Sequence, residues 1–197
     1  MKVVQVNFAF DRRISTPDAL LDRYWTLTGW SDALLAAGAE VRAVQRSTRD
    51  EVRTRGGAQY VFCSNDRRLS EAAAAFAPDV VHVNGAEFPF RTWRLRRRLP
   101  RATALVVQAH SDPSTMGRAP LLRAAARMFR GAVDAFLFTA DAHGQYWRAA
   151  GFAASPQRMY QVMEASTGFR PMPRATARAD SGSSASTHAS RCSRESA

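Results

Sequence analysis

PDVVHVNG, residues 78–85, is a short apolar strand with punctuation at both ends. Pro78 and Asp79 close the alanine-rich segment before it, three valines run through its centre, and Asn84-Gly85 stop it. A β-branched run of this length between turn formers reads as a strand buried on both faces. Strands of that kind belong to parallel sheets with helices on each side. Asn84 and Gly85 then fall just past the strand's carboxyl edge, where open α/β sheets bind their ligands. One helix later ALVVQAHSD, residues 104–112, repeats the pattern and also ends in polar residues. The two strand ends are expected side by side.

The same alternation extends in both directions. Residues 2–10 alternate apolar and polar and predict a first strand. Thr16-Pro17-Asp18 is a helix start, with a capping hydroxyl, a proline in the first turn and a carboxylate at the positive helix end. The helix after it carries Leu20, Leu21, Trp25, Leu34 and Leu35 on its apolar side, with Gly29 as its expected point of interruption. Residues 41–44 predict a second strand. Residues 47–57 read as a polar loop with a Gly56-Gly57 turn, leading into a third strand at 59–63. Helices are expected at 66–76, 88–99, 120–130 and 141–150, and strands at 80–83, 104–109, 134–138 and 159–163. Strands alternating with helices of this length mean βαβ units. The expected fold is α/β: a single Rossmann-like domain, residues 1–173, with a parallel sheet covered by helices on both faces. Residues 174–197 are rich in Ser, Ala, Thr and Arg and almost free of large apolar side chains. They predict a disordered, low-complexity tail, because such a segment buries too little surface to offset its ordering entropy.

The chain of 197 residues is 46% hydrophobic, enough for one real core. No apolar run approaches the roughly 20 residues that span a bilayer, and the amino terminus lacks a signal-peptide pattern, so a cytoplasmic location is expected. The formal net charge of +11 raises the question of nucleic acid. Most of the arginines are scattered rather than striped, which argues against it. Cys63 and Cys192 share no metal or redox spacing, and Cys63 reads as a buried thiol.

His82, His110 and His143 come from separate elements without ligand spacing, so no metal site is expected. His110, Ser111 and Asp112 are adjacent on an extended chain and point to alternate faces, which excludes a hydrolase triad. His82 lies within its strand and reads as a core histidine. His110, at a strand's carboxyl end, is placed either to donate a hydrogen bond into a cleft or to cap a neighbouring carbonyl. The run 91–101 sets six arginines around Trp93 and Leu95. It reads as a solvated helix face, or as a contact for an anionic membrane through Arg94, Arg97 and Arg98, each cation contributing on the order of 1 kcal/mol.

Taken together, the motifs resemble the amino-terminal, acceptor-side domain of a family 4 type glycosyltransferase of the GT-B fold. The resemblance rests on AAGAEV (36–41) entering the second strand, on PDVVHVNG, and on VVQAHSDPST (106–115) with its terminal histidine. It rests also on DAFLFTADAHGQYWRAAGF (134–152), and on QRMYQVMEASTGFRP (157–171) with its Phe-x-Pro ending. The glycine pair usual after the first strand is missing; Ala19-Leu20-Leu21-Asp22 lies near that place. The resemblance implies a retaining hexosyltransferase that moves a sugar from a nucleotide-sugar donor, as co-substrate, to a sugar or lipid-linked acceptor. No cofactor is implied, and the donor site lies mostly in a second domain. It implies His110 as the catalytic sugar contact and Asn84, Gly85, Glu87 and Ser111 as substrate-binding residues of the cleft. Nothing after Pro173 resembles the second domain, so a truncated protein, inactive alone and at most peripheral at the inner membrane face, is expected. The alternative is a non-enzymatic Rossmann-like module binding an anionic lipid or nucleic acid.

Overall fold

The computed structural model describes residues 1–14, 16–110, 119–152 and 158–162. In chain order the elements are β1 (Lys2–Asn7), α1 (Pro17–Arg23), α2 (Trp25–Ala36), β2 (Glu40–Arg46), β3 (Glu51–Arg55), β4 (Ala58–Cys63), α3 (Asp66–Ala75) and β5 (Val80–Asn84). Then follow α4 (Pro89–Arg96), β6 (Ala104–Ala109), α5 (Ala119–Phe129), β7 (Ala135–Phe138), α6 (Asp141–Ala149) and β8 (Met159–Gln161). The strands form one sheet in the order β3-β4-β2-β1-β5-β6-β7-β8. Every neighbouring pair is parallel except β3 with β4. The chain winds from β1 out through β2, then returns to place β5 on the other side of β1. That reversal is a topological switch point, and it puts a crevice at the carboxyl ends of β1 and β5.

Both faces of the sheet are covered. On one face Val4, Val6, Val81, Val83, Leu105 and Val107 pack with Leu69 of α3, Leu95 of α4 and Trp147 of α6. On the other, Val3, Val41, Ala43, Tyr60 and Phe62 pack with Leu20 and Leu21 of α1 and Leu27 of α2. Each large side chain so buried contributes about 1.5–3 kcal/mol.

Three expectations need correction. The stretch read as a polar loop contains β3, an edge strand paired antiparallel with β4 through the Gly56-Gly57 turn, where φ is 61° and 91°. Its residues EVRTR look loop-like because an edge strand keeps charge on its open side; Arg53 pairs with Asp18 at 3.4 Å and Arg55 with Asp22 at 2.7 Å. The long first helix is two helices, broken at Tyr24 (φ −99°, ψ 66°) rather than at Gly29, which stays inside α2. The break resets the helical phase, so Trp25 is 52% exposed while Trp30, five residues on, packs over the sheet. Finally, the first strand stops at Asn7, and all of it after Lys2 is buried, polar residues included. The tail (174–197) and the boundary at residue 173 lie outside the described residues.

Candidate functional site

The parallel register assembles a row of side-chain amides that no single strand contains. Gln45 of β2 stands opposite Asn7 of β1, Asn7 opposite Asn84 of β5, and Asn84 opposite Gln108 of β6. One step back along the strands, Gln5 stands opposite His82. Side chains two apart on a strand share a face, so Gln5, Asn7, His82, Asn84, Gln108 and the following His110 belong to the face that α1 and α2 cover. Between that face and the helices lies a crevice of about 350 Å³, floored by these amides and walled by Phe10, Tyr24, Leu27 and Trp30.

The row is partly wired and partly open. Gln45 Nε2 donates to the carbonyls of Ala9 (2.8 Å) and Arg46 (2.9 Å), which ties the loop after β1 to the sheet edge. His82 is 4% exposed and lies against Trp30, ring centroids 4.8 Å apart and 18° from parallel. Burial pushes its pKa down to about 4, although the Gln108 side chain pulls the other way. The imidazole is therefore neutral at pH 7, and its Nε2–H donates to Gln108 Oε1 at 2.8 Å. Its Nδ1, together with Gln5 Oε1 and Asn7 Nδ2, is buried without a hydrogen-bond partner among the described residues. An unpaired buried polar group costs on the order of 1–3 kcal/mol. Gln5 and Asn7 are 4% and 5% exposed and both line the crevice.

His110 follows β6 directly, is half-buried, and its Nε2 hydrogen-bonds Asn84 Oδ1. Gly85 closes the strand pair by donating its N–H to the Gln108 carbonyl at 2.9 Å. It holds φ 104°, and a methyl group added there would come within 2.6 Å of Glu87 Oε1. The Glu87 carboxylate thus packs against the Gly85 backbone; burial pushes its pKa up, with His110 among the groups that oppose the shift. Replacing Gly85 by Ala should cost roughly 1–3 kcal/mol of backbone strain, measured by urea unfolding; an unchanged midpoint would show that the turn relaxes freely. Of the residues expected from sequence, Asn84 and His110 meet in the crevice, and Gly85 makes the turn beside it. Glu87 is not among the crevice-lining residues, and Ser111 lies outside the described residues. Gln5, Asn7, Gln45, Gln108, Tyr24 and Trp30 were not anticipated. The only trace of the amides in the sequence is a polar residue near the ends of apolar strands, and Tyr24 and Trp30, outside the strands, leave none of that kind.

A second surface feature lies on α4. Arg91 pairs with Asp66 at 3.1 Å and Arg96 with Asp134 at 3.6 Å, so both have structural partners. Arg94, Arg97 and Arg98 are exposed. The Arg94 guanidinium lies 5.6 Å from the Phe90 ring and that of Arg97 5.0 Å from Trp93. Phe90 is 49% exposed, and Leu121 and Met128 of α5 are 71% and 74% exposed. Among the described residues no group of three His, Cys, Asp or Glu is placed to hold a metal ion, and no helix is long and apolar enough to cross a membrane.

The chain matches no protein-family model and no curated protein. It is similar in structure to sucrose-phosphate synthase from Thermosynechococcus elongatus, with a TM-score of 0.57 at 14% identity over 91% of this chain and 53% of the synthase. A second structure of that synthase gives 0.54 at 12% identity, over 85% of this chain and 90% of the other. The lipopolysaccharide outer core galactosyltransferase WaaB gives 0.50 at 12% identity, over 87% of this chain and 46% of that one. The chain therefore spans about half the length of the synthase and of the galactosyltransferase. At these identities the likeness shows the fold: a single α/β domain resembling half of a GT-B glycosyltransferase.

Proposed function

We propose that this domain is the acceptor-side half of a retaining, family 4 type glycosyltransferase. In this reading it holds a sugar or lipid-linked acceptor while another domain binds the nucleotide-sugar donor. The observation that carries the reading is the amide row with His110 at the switch point of the sheet. Amide side chains both donate and accept hydrogen bonds, as sugar hydroxyls do. His110, oriented by Asn84, contacts the transferred sugar or the attacking hydroxyl, and Gly85, Glu87 and Ser111 shape the neighbouring cleft. The donor's own phosphate takes the acceptor proton, so the domain contributes positioning and exclusion of water. No cofactor has a role in this scheme.

A site divided between two domains has half its groups in each. The isolated domain should therefore give no turnover with a panel of nucleotide-sugars. Joined to a donor-binding domain it should transfer sugar with the anomeric configuration retained, as read by proton NMR. Turnover by the domain alone, or micromolar affinity for a nucleotide-sugar, would contradict the assignment.

The exposed Phe90 beside Arg94, Arg97 and Arg98 favours a second, compatible role as a peripheral contact with an anionic membrane at the cytoplasmic face. Cosedimentation with phosphatidylserine-rich vesicles at low salt should fall at least about tenfold when the three arginines become glutamine, given on the order of 1 kcal/mol per cation. Equal binding to neutral vesicles would refute an electrostatic contact.

A further inference from the structure

The charge around the crevice bears on which acceptors enter it, given the acceptor-side reading above. The protein carries a formal charge of +11, yet among the described residues no arginine or lysine lines the crevice. Among the described residues that line it, Asp11 is the one carboxylate and His110 the one histidine. Two nearby arginines are held elsewhere. Arg46 lies over the Phe10 ring at 5.0 Å, pairs with Asp66 at 3.3 Å and donates to the Cys63 carbonyl at 3.1 Å. Arg91 also pairs with Asp66, at 3.1 Å, and donates to the Phe8 carbonyl at 3.3 Å.

The amide side chains that face the crevice carry no charge. Gln5, Asn7, Asn84 and Gln108 supply donors and acceptors in one plane of the sheet. Two of their atoms, the acceptor Gln5 Oε1 and the donor Asn7 Nδ2, are buried without a hydrogen-bond partner among the described residues. Opposite them stand Trp30 and Tyr24, the latter 39% exposed, which offer flat apolar surface. The one feature that favours an anion is the amino end of α2, where Tyr24 makes no side-chain cap. Its backbone amides serve a hydroxyl equally well, and the flanking Arg12, Arg13 and Arg23 are exposed and are not among the residues that line the crevice. Phosphate recognition recruits arginine or lysine because charge-assisted bonds are the strong ones.

We propose that the crevice selects an uncharged saccharide and discriminates against phosphorylated sugars. Sugar hydroxyls bond the amide row, and rotation of the Gln5 and Asn7 side chains turns the buried Gln5 Oε1 and Asn7 Nδ2 toward them. The sugar's C–H face rests on Tyr24 and Trp30, and any phosphate of a larger acceptor stays outside.

The test is saturation-transfer NMR on the whole chain, with methyl glycosides of common hexoses, pentoses and N-acetylhexosamines. The matching hexose 6-phosphates and inorganic phosphate form separate arms. At least one methyl glycoside should bind, its 6-phosphate should bind at least about tenfold more weakly, and inorganic phosphate should not compete. Asn7→Leu should abolish the signal, and so should Tyr24→Ala, whose exposed site keeps the test usable if the first variant misfolds. A 6-phosphate that binds more tightly and loses affinity in salt, with the same dependence on Tyr24, overturns the selectivity while leaving the acceptor-side reading intact. Failure of every saccharide, charged or not, overturns both.

Discussion

Acidification from about pH 7 to about pH 4 should remove on the order of 3 kcal/mol of stability through His82 alone. The buried imidazole has its pKa pushed down to about 4, against an ordinary value of 6.5. Between those two values the unfolded chain takes up a proton that the folded chain refuses, so stability falls as pH falls. The contribution is fully present above about pH 6.5 and is lost by about pH 4. The physical cause is the packing of the ring beneath Trp30, with no charged partner to repay desolvation. His82→Gln retains an amide donor for Gln108 and removes the titration. Urea unfolding across this pH range should give a steep slope for the parent and a shallower one for the variant. Parallel slopes would mean that His82 accepts a proton without cost.

Loss of the His110 imidazole should separate activity from stability. In a two-domain protein with a donor-binding half, His110→Ala should lower kcat on the order of 10²-fold or more, the usual effect of removing one positioned donor. The side chain is half-buried and its bond to Asn84 joins two strand ends already held by the Gly85–Gln108 hydrogen bond. Folding should therefore lose no more than about 1 kcal/mol. The opposite pattern, a large drop in melting temperature with kcat preserved, would make His110 a structural cap.

The architecture was legible because β5 and β6 announce themselves: β-branched runs, bounded by turn formers, in a chain that alternates with helices. β3 was hidden because EVRTR on a sheet edge has a loop's composition, and the break at Tyr24 was hidden because neither proline nor glycine marks it. His110 and Asn84 were readable one strand at a time, as polar residues at strand ends. The amide row was not. In KVVQVN, Gln5 and Asn7 look like the solvent side of a half-exposed strand. They become a buried floor only because β1 takes the centre of the sheet and Trp30 and Leu27 pack above it, facts that depend on strand order and register. Polarity near the carboxyl ends of several strands is a local signal; its convergence is a tertiary one.

In the proposed reading, acceptor saccharide binds in the crevice at the carboxyl edge of β1, β5 and β6. The direct measurement is a ¹H–¹⁵N NMR titration with a neutral saccharide, following the side-chain amide groups of Gln5, Asn7, Gln45, Asn84 and Gln108. These resonances should move together and saturate at one concentration while the backbone amides of α4 stay in place. Shifts confined to α4, or an unmoved amide row at saccharide concentrations that saturate binding elsewhere, would contradict it.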